Sequence, residues 1–274
     1  ELERIQKTTA LPTIEETVGF LNEQNSEKRR RKVDELLASP EYAKNFARIW
    51  AIRLLGRDAG RRGNLMRSPL EDWLEKGLES NTKWDAMARG IIAAEGSTQK
   101  PEEGAVAYGV RWSFRAMQDA PANLAGQTVK IFMGIRLQCA QCHDHPYESW
   151  TQKDFWGVAA YFARVRPQQI KDKDKKERIV GFELNDLKRG EVKMPNSNTI
   201  VEPKFIVGGT KTTSNSRRGT VAELIAAKEN TAFARALVNW MWFHFFGVGI
   251  VNPVDDFTTQ NKPSNPELLE LLTR

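Results

Sequence analysis

The sequence lacks the features that would classify it at once. No segment approaches the roughly 18 consecutive apolar residues of a transmembrane helix, and no secretory signal precedes the polar start at Glu1. The missing signal leaves the compartment open, because the first residues resemble those of a trimmed protein. The chain also lacks a Walker-type phosphate loop, a G-x-S-x-G elbow and an H-E-x-x-H motif. We therefore do not expect a membrane-spanning protein or the enzyme classes that carry these motifs.

Cysteine and histidine are scarce, and they are concentrated in one place. Both cysteines and two of the three histidines lie within residues 137–146, as Cys139, Cys142, His143 and His145. The C-x-x-C-H spacing is typical of covalent attachment of a c-type haem. Two thiols can add to the two vinyl groups of one porphyrin, and a histidine directly after the second thiol can then reach the iron. The spacing predicts haem c, with Cys139 and Cys142 as anchors and His143 as the axial ligand.

Two other uses of this motif stay open. Cys139, Cys142, His143 and His145 would supply four ligands to a zinc ion, although structural zinc sites usually draw paired ligands from separated segments. The two cysteines could also form a disulfide or a redox dithiol. A thioredoxin-like dithiol, however, occurs beside a βαβ unit, and the surrounding sequence does not predict one. With a metal ion or a disulfide at this motif, the chain would be a non-catalytic metal-binding or scaffold module.

The chain is basic, which bears on its partners. Its formal net charge is +6 and its pI about 9.3, so its surface should favour anionic partners. Acidic or sulfated polysaccharide and an acidic redox partner protein are the partners we expect. The densest basic run, residues 28–32, leads into Val33, Leu36 and Leu37 and is predicted to be the solvated face of an amphipathic helix. Nucleic acid is therefore not an expected partner.

Hydrophobic spacing predicts a mainly helical fold, a multi-helix c-type haem domain with a small β excursion around residues 179–207. Residues 1–170 should form a helical domain that carries the C-x-x-C-H motif. Residues 171–219 should form a loop and short β-strand insertion, and residues 220–274 the helical start of a further domain.

Two predicted helices flank the motif. The first runs over residues 121–137 and delivers the motif at its end, with Pro121 in its first turn. The second is capped by Thr151 and Asp154, and its largely apolar residues indicate that it is buried. We expect these two helices to provide an apolar wall for the haem.

Longer stretches of the sequence resemble a known pair of families. The segments around and after the motif, residues 135–147, 150–157 and 160–164, resemble the planctomycete cytochrome-associated domain of unknown function DUF1549. Segments nearer the C-terminus, residues 234–242, 244–247, 249–251 and 253–257, resemble the start of its usual companion, DUF1553. The resemblance implies a secreted protein that carries haem, and it implies no particular reaction.

Location and chain length follow as further expectations. Thioether attachment of haem requires an export-side maturation system, so the haem interpretation predicts a periplasmic or extracytoplasmic protein. In the family that the sequence resembles, the chain continues well past residue 274. We therefore expect this chain to be part of a longer protein, whose remainder is a further candidate partner.

The function depends on what faces the iron opposite His143. By elimination His244 is the best candidate for a sixth ligand, and Met194, in a predicted loop, is a weaker alternative. We expect electron transfer. The alternative is a haem-dependent redox enzyme acting on polysaccharide-derived substrates, with His145, His244 or Tyr147 as the acid-base group.

Overall fold

The structure, a computed structural model, describes residues 12–57, 63–114, 120–175, 177–207 and 214–274. Eleven α-helices account for most of the regular structure in these ranges. They are α1 (Ile14–Asn22), α2 (Lys28–Leu37), α3 (Pro40–Leu55), α4 (Asn64–Glu79), α5 (Trp84–Ala93), α6 (Val106–Phe114), α7 (Ala120–Met133), α8 (Gln152–Ala159), α9 (Arg217–Ile225), α10 (Thr231–Phe246) and α11 (Pro266–Thr273).

Two small antiparallel sheets accompany the helices. In the first, β3 (Ile179–Asp186) lies between β1 (Gly96–Ser97) and β2 (Val165–Lys171). In the second, β4 (Val192–Lys193) pairs with β5 (Ile200–Val201). The predictions of a mainly helical fold and of short strands within 179–207 are confirmed. Residues 208–213 of the predicted insertion lie outside the described part of the chain.

One large apolar core connects the N-terminal and C-terminal stretches. Phe46, Trp50 and Leu54 on α3 are spaced four residues apart and are buried in it. The ring of Trp50 lies 4.0 Å from that of Trp84 on α5 and 4.2 Å from that of Trp240 on α10. Helices from the predicted stretches 1–170 and 220–274 therefore share a single core.

The helix before the motif ends earlier than its sequence predicts. We expected a helix over residues 121–137, whereas α7 ends at Met133. Gly134 follows with a φ of +68°, and a Cβ there would lie 2.5 Å from the ring of Phe257. Only glycine adopts this conformation readily and leaves room for the ring. The motif consequently lies beyond α7, in a separate turn.

The helix after the motif forms as expected. The hydroxyl of Thr151 accepts from the backbone N–H of Asp154, and the Asp154 carboxylate accepts from the backbone N–H of Thr151. This reciprocal pair is a capping box that starts α8. α7 and α8 pack directly together, and Phe155, Val158 and Leu137 are fully buried.

A buried arginine joins three parts of the fold. Arg218 on α9 is 2% exposed, and its Nε donates to Asp186 at the end of β3 over 2.9 Å. Its Nη1 donates to the carbonyl of Ala94, just after α5, over 2.7 Å. Glu95 adds a longer ionic contact of 3.5 Å. A charge this deep is tolerated because it is paired and hydrogen-bonded.

Among the helices in the described ranges, none has both the length and the apolar character needed to cross a bilayer.

Replacement of Arg218 tests this junction. We expect Arg218→Ala to lower the free energy of unfolding by about 3–5 kcal/mol, because it leaves the largely buried Asp186 carboxylate without a partner. Arg30 is exposed at 81%, and its ion-pair partner among the described residues is the exposed Glu27 alone. It is a matched control whose replacement by alanine should cost less than about 1 kcal/mol. Urea unfolding of both variants measures the difference, and equal midpoints for the two would contradict the role given to Arg218.

Candidate functional site

The two cysteines lie on the outer side of a short 3₁₀ turn, Leu137–Gln141. A 3₁₀ helix has three residues per turn, so residues i and i+3 lie on the same side. Leu137 and Ala140 point into the core and are fully buried, whereas Cys139 and Cys142, offset from them by two residues, are exposed. Both thiols are free. The turn therefore presents two reduced thiols on one outward side.

The ring of His143 has one nitrogen engaged and one available. Its Nδ1 lies 2.7 Å from the carbonyl oxygen of Asp144. A carbonyl can only accept, so Nδ1 carries the proton, and in the neutral ring the lone pair is on Nε2. A histidine that donates through Nδ1 and binds through Nε2 is the usual arrangement of a metal-ligating imidazole.

His145 is used differently. Its Nδ1 accepts from the backbone N–H groups of Tyr147 (3.2 Å) and Glu148 (3.1 Å), so in the neutral ring Nε2 carries the proton. Neither nitrogen then has a free lone pair for a metal. His145 stabilises the loop after the motif, and the ring of Tyr147 is 67% exposed beside it, with its centroid 6.4 Å away.

The zinc alternative gains no support from this geometry. Across the described residues, no three side chains of histidine, cysteine, aspartate or glutamate are arranged to hold a metal ion. Haem attachment requires fewer converging side chains than a zinc site. It needs two accessible thiols three residues apart and one imidazole with a free nitrogen. Cys139, Cys142 and His143 fit that donor set.

Met194 and His244, the two candidates for a sixth ligand, lie in different surroundings. Met194 is half-buried and packs, together with Trp156 of α8, against the small cluster of Ala160, Val192 and Val201. The indole of Trp156 donates to the carbonyl of Gln141, in the turn that carries the cysteines, over 3.0 Å. Met194 and the motif therefore both lie near Trp156.

His244 is placed elsewhere. Its exposed ring stacks on that of Trp240, 5.7 Å away, and meets the rings of Phe46 and Phe245 edge-on at 5.5 and 5.4 Å. These three ring neighbours belong to α3 and α10, and none of them is part of the loop that contains Cys139. The structure brings His244 to an aromatic cluster rather than to the motif.

The C-terminal segment 253–261 holds the motif from both ends. The carboxylate of Asp255 accepts from Arg136, three residues before Cys139, over 2.6 Å, and from Lys130 over 3.1 Å. On the other side, Glu148 accepts from the backbone N–H and the hydroxyl of Thr259 over 2.7 and 2.8 Å. We call residues 253–261 the clamp. Asp255 lies 119 residues from Arg136 in the chain, so local sequence patterns do not indicate this pairing.

Two further contacts seat the clamp on the fold. The backbone N–H of Phe257 donates to the carbonyl of Gly134 over 2.8 Å. Asn239 on α10 is fully buried and donates to the carbonyls of Val251 and Val254 over 2.9 and 3.0 Å. Hydrogen bonds therefore link the motif to α10 through the clamp: Arg136 donates to Asp255, and Asn239 of α10 donates to Val254.

Charge pairing controls the protonation of Asp255. Burial alone would raise the pKa of this carboxyl, but its hydrogen bond with Arg136 and its contacts with Lys130 outweigh burial and hold the pKa below its usual value. Asp255 is therefore ionised at neutral pH. Asp256 makes only a 3.9 Å contact with Arg136.

The fold and the site define a mainly helical protein that presents a C-x-x-C-H turn on its surface, held by a clamp from its C-terminal region. Residues 5–167, more than half of the chain, match the family model PSCyt2, described as a protein of unknown function (DUF1549). The chain belongs to this family. Residues 217–274 match the model PSD1, likewise described as a protein of unknown function (DUF1553).

Both resemblances inferred from the sequence, and their order, are confirmed. The motif lies within the first match and the clamp within the second. No curated protein matches the chain, and no solved structure does.

The pH dependence of stability tests the clamp. The pKa of Asp255 is lowered in the folded state, so its contribution to stability is present above its unfolded pKa and is lost as the pH falls through the lower folded value. We expect Asp255→Asn to destabilise the protein at pH 7, and the difference from wild type to shrink as the pH falls from about 5 towards 2. Asp256→Asn is the control, with a smaller effect. Thermal unfolding over this pH series measures both, and a pH-independent difference would refute the assignment.

Proposed function

We propose that this protein is a c-type haem protein that transfers electrons. Cys139 and Cys142 would be the thioether anchors, and His143 the axial ligand. The observation that carries the proposal is the turn itself, which presents two free thiols outward with an imidazole directly after them. Bound haem iron would supply one-electron redox chemistry.

The chain's own residues would orient the group. Asp144 fixes the tautomer of His143 through the 2.7 Å bond to Nδ1, and an accepting carbonyl at that position raises the basicity of the imidazole. The clamp holds Arg136 and Glu148 on either side of the motif. A rigid support of this kind reduces the rearrangement that accompanies a change of charge at the iron.

Location and partners complete the proposal. Covalent attachment takes place on the export side of a membrane, so we propose a periplasmic or extracytoplasmic protein. The net charge of +6 favours an acidic redox partner or an anionic polysaccharide. The remainder of a longer chain is a further proposed partner.

A second candidate function is redox catalysis at the haem. A cleft of about 920 Å³ borders the loop after the motif, with Glu148 and Trp150 in its wall, and this volume is within the range of small-molecule sites. A substrate bound there would lie beside the loop. The acid-base candidates His145, Tyr147 and His244 stay predictions, and of these His145 and Tyr147 belong to that loop.

Expression in a host with c-type maturation tests the cofactor. We expect a Soret band and a haem-stained band that survives denaturing electrophoresis, because thioether bonds resist denaturation. The Cys139→Ser, Cys142→Ser double variant should lose the stained band while keeping its circular dichroism spectrum, since both side chains are exposed. A colourless wild-type protein from such a host would refute haem attachment.

Ligand variants then separate electron transfer from catalysis. His143→Ala should keep the covalent haem but change its spectrum, whereas His145→Ala should keep the iron ligation. A low-spin spectrum in wild type supports electron transfer, and its conversion to high spin in Met194→Ala or in His244→Ala identifies the sixth ligand. A high-spin wild-type spectrum that responds to added ligands favours catalysis instead.

A further inference from the structure

The cleft beside the motif loop has the dimensions of a ligand site. Its volume is about 920 Å³, at the upper end of the range for small-molecule sites. Its wall is built from the motif loop, the clamp, α10 and α11, so residues of both family segments contribute to it. The position of its wall is fixed by the bond between Glu148 and Thr259.

Most of the wall is apolar, and part of it is aromatic. The side chains of Trp150 and Phe257 line the cleft, joined by Pro263, Leu269 and Leu271. Aromatic side chains contribute large, flat apolar surfaces that favour stacking with another ring. The wall therefore favours a ligand with a flat apolar body.

Five charged side chains line the cleft: Glu148, Arg235, Glu267, Glu270 and Arg274. Two of them, Arg235 and Glu148, are held in place by a contact to one part of the group and keep other atoms of the group available for a ligand. The Arg235 guanidinium has five N–H donors, and among the described residues its hydrogen-bond and ion-pair partner is Glu270 alone, at 2.9 Å from Nη2. It is 43% exposed, so a ligand can reach it. Guanidinium groups bind carboxylates strongly and with defined geometry.

Glu148 is the second such group. Both bonds from Thr259 go to the same oxygen, Oε1. They fix the direction of the carboxylate and leave Oε2 as an acceptor for a hydroxyl group of a ligand. A ligand that satisfies both groups needs an anionic oxygen for Arg235 and a donor for Glu148.

We propose that this cleft binds hydroxylated aromatic carboxylic acids. The ring lies against the apolar wall that contains Trp150 and Phe257, the carboxylate binds Arg235, and the hydroxyl donates to Glu148. The site requires no haem, so the proposal does not rest on the proposed electron transfer. It names a ligand class for the cleft that the second candidate function uses. It gives the chain a small-molecule ligand next to the C-x-x-C-H loop.

Isothermal titration with ferulate, an aromatic acid with a phenolic hydroxyl, tests the proposal on the unmodified chain. We expect saturable binding that Arg235→Gln and Glu148→Gln each weaken by about tenfold or more, which corresponds to the loss of one charge-assisted hydrogen bond. The amide introduced by Glu148→Gln retains a carbonyl oxygen for Thr259, so the loop stays in place. Arg189→Gln and Glu229→Gln remove exposed charges elsewhere and should bind as wild type does.

Two altered probes assign the contacts. The methyl ester of ferulate should bind wild type more weakly but lose little further affinity in Arg235→Gln. The O-methylated acid should behave in the same way with Glu148→Gln. The proposal is overturned if wild type shows no saturable binding, if both glutamine variants bind ferulate normally, or if the ester binds as tightly as the acid. None of these results depends on whether haem is attached.

Discussion

The buried guanidinium of Arg218 is the constraint on which the arrangement of the helices and the main sheet depends. It is carried by α9 and donates to Asp186 at the end of β3 and to the carbonyls of Ile92 and Ala94 at the end of α5. An uncompensated charge at that depth would be very costly, so these three elements cannot separate without leaving the charge unpaired. Because Arg218 belongs to the second family segment and Ala94 to the first, the same interaction makes the two segments one folding unit.

Local features of the fold could be predicted from the sequence, and features that depend on distant partners could not. The capping box of α8 was predictable because Thr151 and Asp154 are only three residues apart. The start and end of α10 follow from its apolar run and from Gly247, which ends it with a positive φ. The sequence analysis gives no helix over α6, a segment of only nine residues that is interrupted by Gly109, because a glycine inside a short pattern weakens the helical signal.

In the candidate site, too, local features could be predicted from the sequence and features that depend on distant residues could not. The spacing of Cys139, Cys142 and His143 is local, so the proposal of haem attachment could be made from the sequence. The outward orientation of the thiols depends on Leu137 and Ala140 entering the core, and the end of α7 depends on Phe257, a residue far along the chain. Nothing in the immediate sequence of Asp255 indicates its pairing with Arg136. Four separate segments enclose the cleft, so the sequence of no single segment predicts it.

The separation between the clamp and the motif also sets an order of events during biosynthesis. Asp255 and Arg136 are 119 residues apart, and Thr259 and Glu148 are 111 residues apart. Contacts between such distant positions form late, because the intervening chain must first be ordered. As the chain emerges from its N-terminal end, Cys139 and Cys142 are synthesised well before the residues that later hold them. If haem is attached as proposed, the attaching enzyme would therefore act on two thiols in a segment that is not yet ordered, and the later contacts would then hold that segment in place.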